Sequence, residues 1–374
     1  MKRNILVITH TTPIPDLDGA SVRIFRLMQM MIELGWSVTN LSAGQGFHPV
    51  YQQRAAAARA FLISQGIEAP PLAEVSVEPP VTAYLAAHGA RFDAIWLGFS
   101  GGPGFIPAIR RAAPQAVIVF DTIELTFVSM ARAAKVQGSE RLAAQAQAVQ
   151  ASQLHMVTQA DFTLVVTEEE QRVLAALRPD AAVRVISNVH VALDDELSLA
   201  GRRDLLFVGN FVHRPNRDAA HYLVTAIWPR LRQALPGVRL RLVGLPTPEI
   251  EALAAPDVQI VGHAPSLEPF FRHSRLSVAP LRFGAGIKGK VLESMAHGLP
   301  VVMTSIAAEG AHIESGMHAL VADTPAAFAA AVLQLYQDDA LWLRLAQHSR
   351  QLVHTHFGYA AVKARLAALL AEIS

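Results

Sequence analysis

The sequence has no cysteine. Disulfides, thiolate nucleophiles and Cys-based zinc or iron–sulfur sites are therefore excluded, and a reducing compartment fits. Charge is scarce, with 17% charged residues against 52% apolar, a balance that favours a buried core over disorder. Neither sign dominates: 32 Lys plus Arg against 31 Asp plus Glu give a formal charge of +1, so no bulk positive field points to nucleic acid. No segment reaches the roughly 18 apolar residues needed to span a bilayer, and the opening run at residues 5–9 is too short for a signal-peptide core. No His-x-x-x-His or comparable carboxylate spacing argues for a metal site, and neither a Walker A motif nor a GxGxxG at the first helix is present. These absences imply a soluble cytoplasmic protein, with peripheral attachment to the cytoplasmic membrane face left open.

What is present is a repeated α/β pattern. A length of 374 residues suggests two domains. Residues 5–9 read as an apolar parallel strand. A loop with Asp18-Gly19 follows, then a helix over residues 21–34 closed by Gly35, with Arg23 and Arg26 on an exposed side. Further strands are expected at residues 36–39, 94–97, 116–120, 164–166 and 183–186. A single long helix is expected over 127–157, and Thr167 with Glu170 reads as a capping box. Polar residues 193–204 mark a boundary, after which the pattern restarts. Strands are expected at 205–209, 238–244, 258–262, 276–280 and 300–304, with a helix over 217–235 that Pro229 bends or restarts. The expected domains are 1–198, 199–355 and a tail, 356–374, whose terminal helix packs back on the first.

The densest chemistry lies in Arg282-Phe283-Gly284-Ala285-Gly286-Ile287-Lys288-Gly289-Lys290-Val291-Leu292-Glu293. Its glycines allow a tight turn whose amides can wrap an anion. Lys288 and Lys290 add positive charge, and a helix starting near residues 287–290 aims its dipole at the same place. Glu293, three residues beyond Lys290, can accept hydroxyl hydrogens on the same side of that helix. Phosphate donors beside a hydroxyl acceptor suit a nucleoside diphosphate derivative. A glycine-rich loop with solvated lysines is the alternative.

This segment resembles the C-terminal domain of GT-B glycosyltransferases, specifically the retaining family 4 group. Supporting matches are Phe207-Val208-Gly209-Asn210, His213 with Pro215-Asn216, Val243-Gly244, Val261-Gly262, Glu309-Gly310 and Gly298 with Pro300. The resemblance implies two Rossmann-like domains facing each other across a cleft. The implied donor is a nucleotide-diphosphate sugar, and the acceptor an unidentified hydroxyl, on a glycan or glycolipid. No tightly bound cofactor or metal is implied. Glu293 would bind the ribose hydroxyls. Lys288 or Lys290, with Arg282, would hold the diphosphate beside Gly284, Gly286 and Ile287. Asn210 would line the phosphate side, the backbone at Gly262-His263 would meet the base, and Gly19 would let the first-domain loop approach the phosphates. Three departures stand out. Ala285 occupies the position of a second family glutamate, and Asn188-Val189-His190-Val191 replaces the usual Asn-Gly-Val-Asp. The family's basic residue after the first strand of domain two is absent in its usual form, and Arg214 is the substitute.

Two further catalytic candidates come from position alone: His10, directly after the first strand, and Asp121, directly after an apolar strand, where the other reading is a turn cap. Arg23 and Arg26 are candidates for an acidic lipid or acceptor. A catalytically silent sugar-nucleotide-binding protein and a sugar-nucleotide epimerase remain alternatives to a transferase.

Overall fold

The structure is a computed structural model that describes residues 3–44, 49–71, 80–98 and 105–373. Met1, Lys2 and Ser374, at the ends of the expected first domain and tail, lie outside the described residues. The chain divides into two compact units. One comprises Met1–Phe127, Ala144–Val189 and Val362–Ser374, the other Val128–Ala143 and His190–Ala361.

The first unit holds a six-stranded sheet of β1 (Asn4–Thr9), β2 (Ser37–Ser42), β3 (Ala94–Gly98), β4 (Val117–Asp121), β5 (Phe162–Val165) and β6 (Val183–Val185). The order is β2-β1-β3-β4-β5-β6 and every pairing is parallel. Ile5, Leu6, Val7 and Ile8 are all fully buried, the condition of a central strand covered on both faces. The Gly19–Glu33 helix follows β1. Asp18 caps it by accepting from the Ser21 amide at 2.8 Å, and Gly35 (φ 91) lies just past its end.

Three expectations from the first half of the sequence are corrected. Arg23 is not on an exposed side: it is buried, its Nη1 donating to Asp121 Oδ2 at 2.6 Å and its Nη2 to the Ile186 carbonyl at 2.7 Å. The helix expected over 127–157 is two helices, Thr126–Gln137 and Glu140–Gln159, because Gly138 turns the chain with φ 62. Thr167 caps its helix by accepting from the Glu170 amide at 3.1 Å. Glu170 itself reaches elsewhere, accepting from the amides of Leu125 at 2.8 Å and Val166 at 3.3 Å. A buried carboxylate there satisfies loop donors that would otherwise be stranded.

The second unit repeats the design with β7 (Asp204–Val208), β8 (Leu240–Val243), β9 (Val258–Gly262), β10 (Ser274–Ala279), β11 (Val301–Met303) and β12 (Leu320–Val321). The order is β12-β11-β10-β7-β8-β9, again all parallel. β12 has only two residues, too short for periodicity to reveal. The expected helix over 217–235 is Arg214–Tyr222, a π-helical turn Leu223–Ile227, and Trp228–Leu231. Pro229 has no amide for the helical ladder, and the wider turn just before it absorbs that loss. Leu205, Phe207, Leu276, Leu292, Met295, Phe328 and Trp342 are among the residues of its buried core. Among the described residues no helix is long and apolar enough to cross a membrane.

Candidate functional site

In a parallel sheet the loops leaving the carboxyl ends of the strands are where ligands bind. In the second unit those loops carry most of the candidate residues. Gly209 follows β7, Gly244 follows β8 and Gly262 ends β9. A Cβ on Gly244 (φ +139) would fall on the Gly209 carbonyl, and one on Gly209 would meet Asn216 at 3.0 Å. The close approach of these strand ends therefore requires glycine. Asn210 shapes the next turn: its carbonyl accepts from Asn216 Nδ2 at 3.0 Å and its Oδ1 from the Val212 amide at 3.1 Å. Arg214, first residue of its helix, and His263, just after β9, are exposed.

The loop after β10 is the centre of the site. Thr304 ties its start, donating from Oγ1 to the Leu281 carbonyl at 2.6 Å. Phe283 is buried in a small cluster with Ala133, Ala134 and Leu142. Gly284 (φ 153) and Gly286 (φ 62) then turn the chain through conformations that favour glycine. Among the described residues the amides of Gly284, Ala285, Gly286 and Ile287 make no hydrogen bond. The Gly289–Ala296 helix starts immediately afterwards, so loop amides and helix dipole are gathered in one place, as an anion needs.

The charged residues divide by what already holds them. Lys288 Nζ donates to the carbonyls of Gly286 at 2.7 Å and Ala285 at 3.3 Å, so it braces the loop. The Lys290 side chain makes no hydrogen bond or ion pair with another described residue, while its carbonyl accepts from Ser294 Oγ at 2.9 Å. Arg282 engages Asp218 through one edge of its guanidinium, Nε donating to Oδ2 at 2.8 Å and Nη2 to Oδ1, and it lies 4.9 Å from the Tyr222 ring centre. It thereby ties the loop to the Arg214–Tyr222 helix, while its Nη1 makes no hydrogen bond among the described residues.

Glu293 is on the first turns of the Gly289–Ala296 helix, its Oε2 2.7 Å from His190 Nδ1. Burial alone would raise its pKa. The His190 hydrogen bond and the charges of His190, Lys290 and His297 outweigh that and hold it at about 2. Glu293 is thus ionised at neutral pH. Two residues missed by sequence reasoning also belong here. Arg132 donates from Nη1 and Nη2 to Glu309 Oε2 and Oε1, and from Nη1 to the Gly284 carbonyl at 2.8 Å. Burial pushes the Glu309 carboxyl up, but Arg132, then Lys288, bring it below its ordinary value. The other missed residue is His190, visible in the sequence only as a break in a family pattern.

Of the first-unit candidates, His10 follows β1 and its carbonyl accepts from the Gly44 amide at 2.9 Å. Gly19 opens the first helix with open space where a Cβ would be. Asp121 is corrected: it is fully buried, bound to Arg23 and to Trp96 Nε1 at 3.1 Å, and also accepts from the Ile123 amide at 3.3 Å. It is a structural anion and turn cap. A cavity of about 560 Å³ in the second unit, lined by Arg203, Asp204, Arg239 and Arg241 among others, lies at the opposite, amino ends of β7 and β8. It is separate from the glycine loop.

Residues 202–338 match the family model described as Glycosyl transferases group 1. No curated protein sequence matches the chain. Among solved structures, HepE of Anabaena in complex with UDP and glucose superposes with a TM-score of 0.72 at 14% identity, covering 99% of this chain and 100% of that one. Sucrose-phosphate synthase of Thermosynechococcus elongatus gives a TM-score of 0.76 at 17% identity, covering 99% of each chain. A glycosyltransferase of Rickettsia africae gives 0.70 at 13%, covering 100% and 98%. At such identities the likeness establishes the shared fold, that of GT-B glycosyltransferases.

Proposed function

With a glycosyl transferases group 1 domain at residues 202–338 as the premise, we propose that the chain is a retaining glycosyltransferase. It moves a sugar from a nucleotide-diphosphate donor to a hydroxyl acceptor in glycan, polysaccharide or glycolipid synthesis. The second unit takes the donor and the first the acceptor. The observation that carries this reading is the loop of residues 284–287, whose amides make no hydrogen bond among the described residues and are followed by Lys290 and an ionised Glu293. Donors for a diphosphate and an acceptor for ribose hydroxyls are thereby offered within one turn. The structures of HepE with UDP and with UDP-glucose support the choice of donor class.

In this reading the acceptor oxygen attacks the anomeric carbon as the bond from that carbon to the diphosphate oxygen breaks. The hydroxyl proton passes to the departing phosphate on the same face, so configuration is retained without a covalent intermediate. Negative charge grows on the diphosphate, and the loop amides, the helix dipole and Lys290 oppose it. Lys288 keeps the loop in shape for that task. His10 and Gly19 remain the candidates of the first unit. A lipid-linked acceptor would bring the enzyme to a membrane surface.

The test is donor turnover by the purified chain. UDP-, GDP- and ADP-sugars would be offered with a mixed acceptor library, and products read by mass spectrometry. A free nucleotide together with a new glycoside is expected. Nucleotide binding with no product from any donor would favour a silent binding protein, a reading that Ala285 in place of a family glutamate keeps in view.

A further inference from the structure

His190 occupies a position the proposed reaction leaves unused, yet it is fixed more firmly than a linker residue needs to be. Its amide donates to the Phe357 carbonyl at 2.8 Å, and residues 190 and 358 pair as an isolated parallel bridge. Three residues on, the Leu193 amide donates to the Ala296 carbonyl at 3.0 Å. The segment is thus pinned at one end to the close of the Asp339–Phe357 helix and at the other to the last residue of the Gly289–Ala296 helix. Between these points the His190 ring, 7% exposed, meets Glu293. The carboxylate can only accept, so Nδ1 carries the hydrogen and donates. Nε2 is buried and has no partner among the described residues.

The pairing treats the two carboxylate oxygens differently. Oε2 is committed to His190 at 2.7 Å, whereas Oε1 makes no hydrogen bond among the described residues, and about a third of the side chain is exposed. A glutamate on the first turns of a helix otherwise samples several rotamers, each aiming its oxygens differently. One charge-assisted bond from a buried, backbone-anchored ring selects one of them.

We propose that His190 is a positioning residue of the donor site: it holds Glu293 by Oε2 so that Oε1 is the oxygen presented to a ribose hydroxyl. The inference rests on the donor-site reading above. Its chemistry predicts that the benefit of His190 is confined to ligands that carry that hydroxyl.

Affinities of UDP, GDP and ADP, and of the 2′,3′-dideoxy form of whichever binds best, would be measured by calorimetry. The proteins are the wild type, His190→Ala, His190→Asn, Glu293→Ala and the His190→Ala/Glu293→Ala double variant, each checked for a native thermal transition. His190→Ala should weaken the ribonucleotide by about tenfold or more, with little change for the dideoxy ligand. His190→Asn, which can place an N–H near the Nδ1 position, should recover most of the loss. In turnover, His190→Ala should raise the donor KM while leaving kcat within about twofold. The double variant should bind no worse than Glu293→Ala alone. If Glu293→Ala weakens the ribonucleotide but His190→Ala does not, or if the two losses add, the inference is overturned while the donor site stands. If Glu293→Ala itself leaves binding unchanged, the donor-site reading fails first and the inference with it.

Discussion

Arg132 and Glu309 meet in a two-pronged ion pair, Nη1 to Oε2 at 2.6 Å and Nη2 to Oε1 at 2.7 Å, while the same Nη1 holds the Gly284 carbonyl. One guanidinium thereby links the glycine loop to the turn after the Ser305–Ala308 helix. The pair is roughly one-third exposed on each side, so solvent weakens it. Arg132→Ala should lower stability by only about 1–2 kcal/mol in urea titrations. The larger effect should be a loss of about tenfold in kcat/KM for the donor, because the loop amides are no longer held in place.

Lys290→Ala should lower kcat by about a hundredfold, as expected on losing a charge that opposes the growing negative charge of the leaving group. The acceptor KM should change far less. Steady-state kinetics at saturating donor separates the two, and an unchanged kcat would remove Lys290 from the reaction.

The Glu293 carboxyl has its pKa depressed from 4.5 to about 2. A depressed folded value means that the unfolded chain binds the proton more readily. The stabilisation is therefore present above pH 4.5 and is lost as pH falls toward about 2. The urea midpoint of the wild type should fall across this window more steeply than that of Glu293→Gln, which has no proton to take up. Parallel curves would contradict the assignment.

Gly244→Ala puts a Cβ on the Gly209 carbonyl at a φ of +139. The clash is with backbone, so no side-chain motion relieves it. A loss of more than about 2 kcal/mol is expected, seen as a lowered thermal midpoint and reduced soluble yield.

Arg23 and Asp121 are both buried and paired. Removing one partner strands the other charge, and Asp121→Ala should destabilise by about 3–5 kcal/mol. Activity per folded molecule, measured at low temperature, should stay close to that of the wild type. A folded variant with no turnover would return Asp121 to the catalytic candidates.

The alternation of apolar strands with helices was legible because each parallel strand is buried on both faces and writes an unbroken apolar run, as at residues 5–8. The glycine loop was legible because its backbone angles demand glycine at Gly284 and Gly286. What escaped was pairing across distance. Asp121 and Arg23 each look like free polar groups until the fold joins them, and the Asp218 partner of Arg282 is 64 residues away. His190 shows in the sequence only as a break in a family pattern, and its role does not, since its partner is 103 residues away. β12 was missed because two residues cannot display a period.

The segment Val128–Ala143 belongs to the second unit although its neighbours on both sides in sequence belong to the first. It supplies Ala133, Ala134 and Leu142 around Phe283, and Arg132 for Glu309. A C-terminal fragment starting at His190 would leave Phe283 bare and Glu309 unmatched beside the glycine loop. Exchange of halves between related enzymes, in the laboratory or by recombination, therefore has no clean seam at residue 190. A working hybrid has to inherit the 128–143 stretch from the same parent as the rest of its second unit, or carry compatible changes at both places.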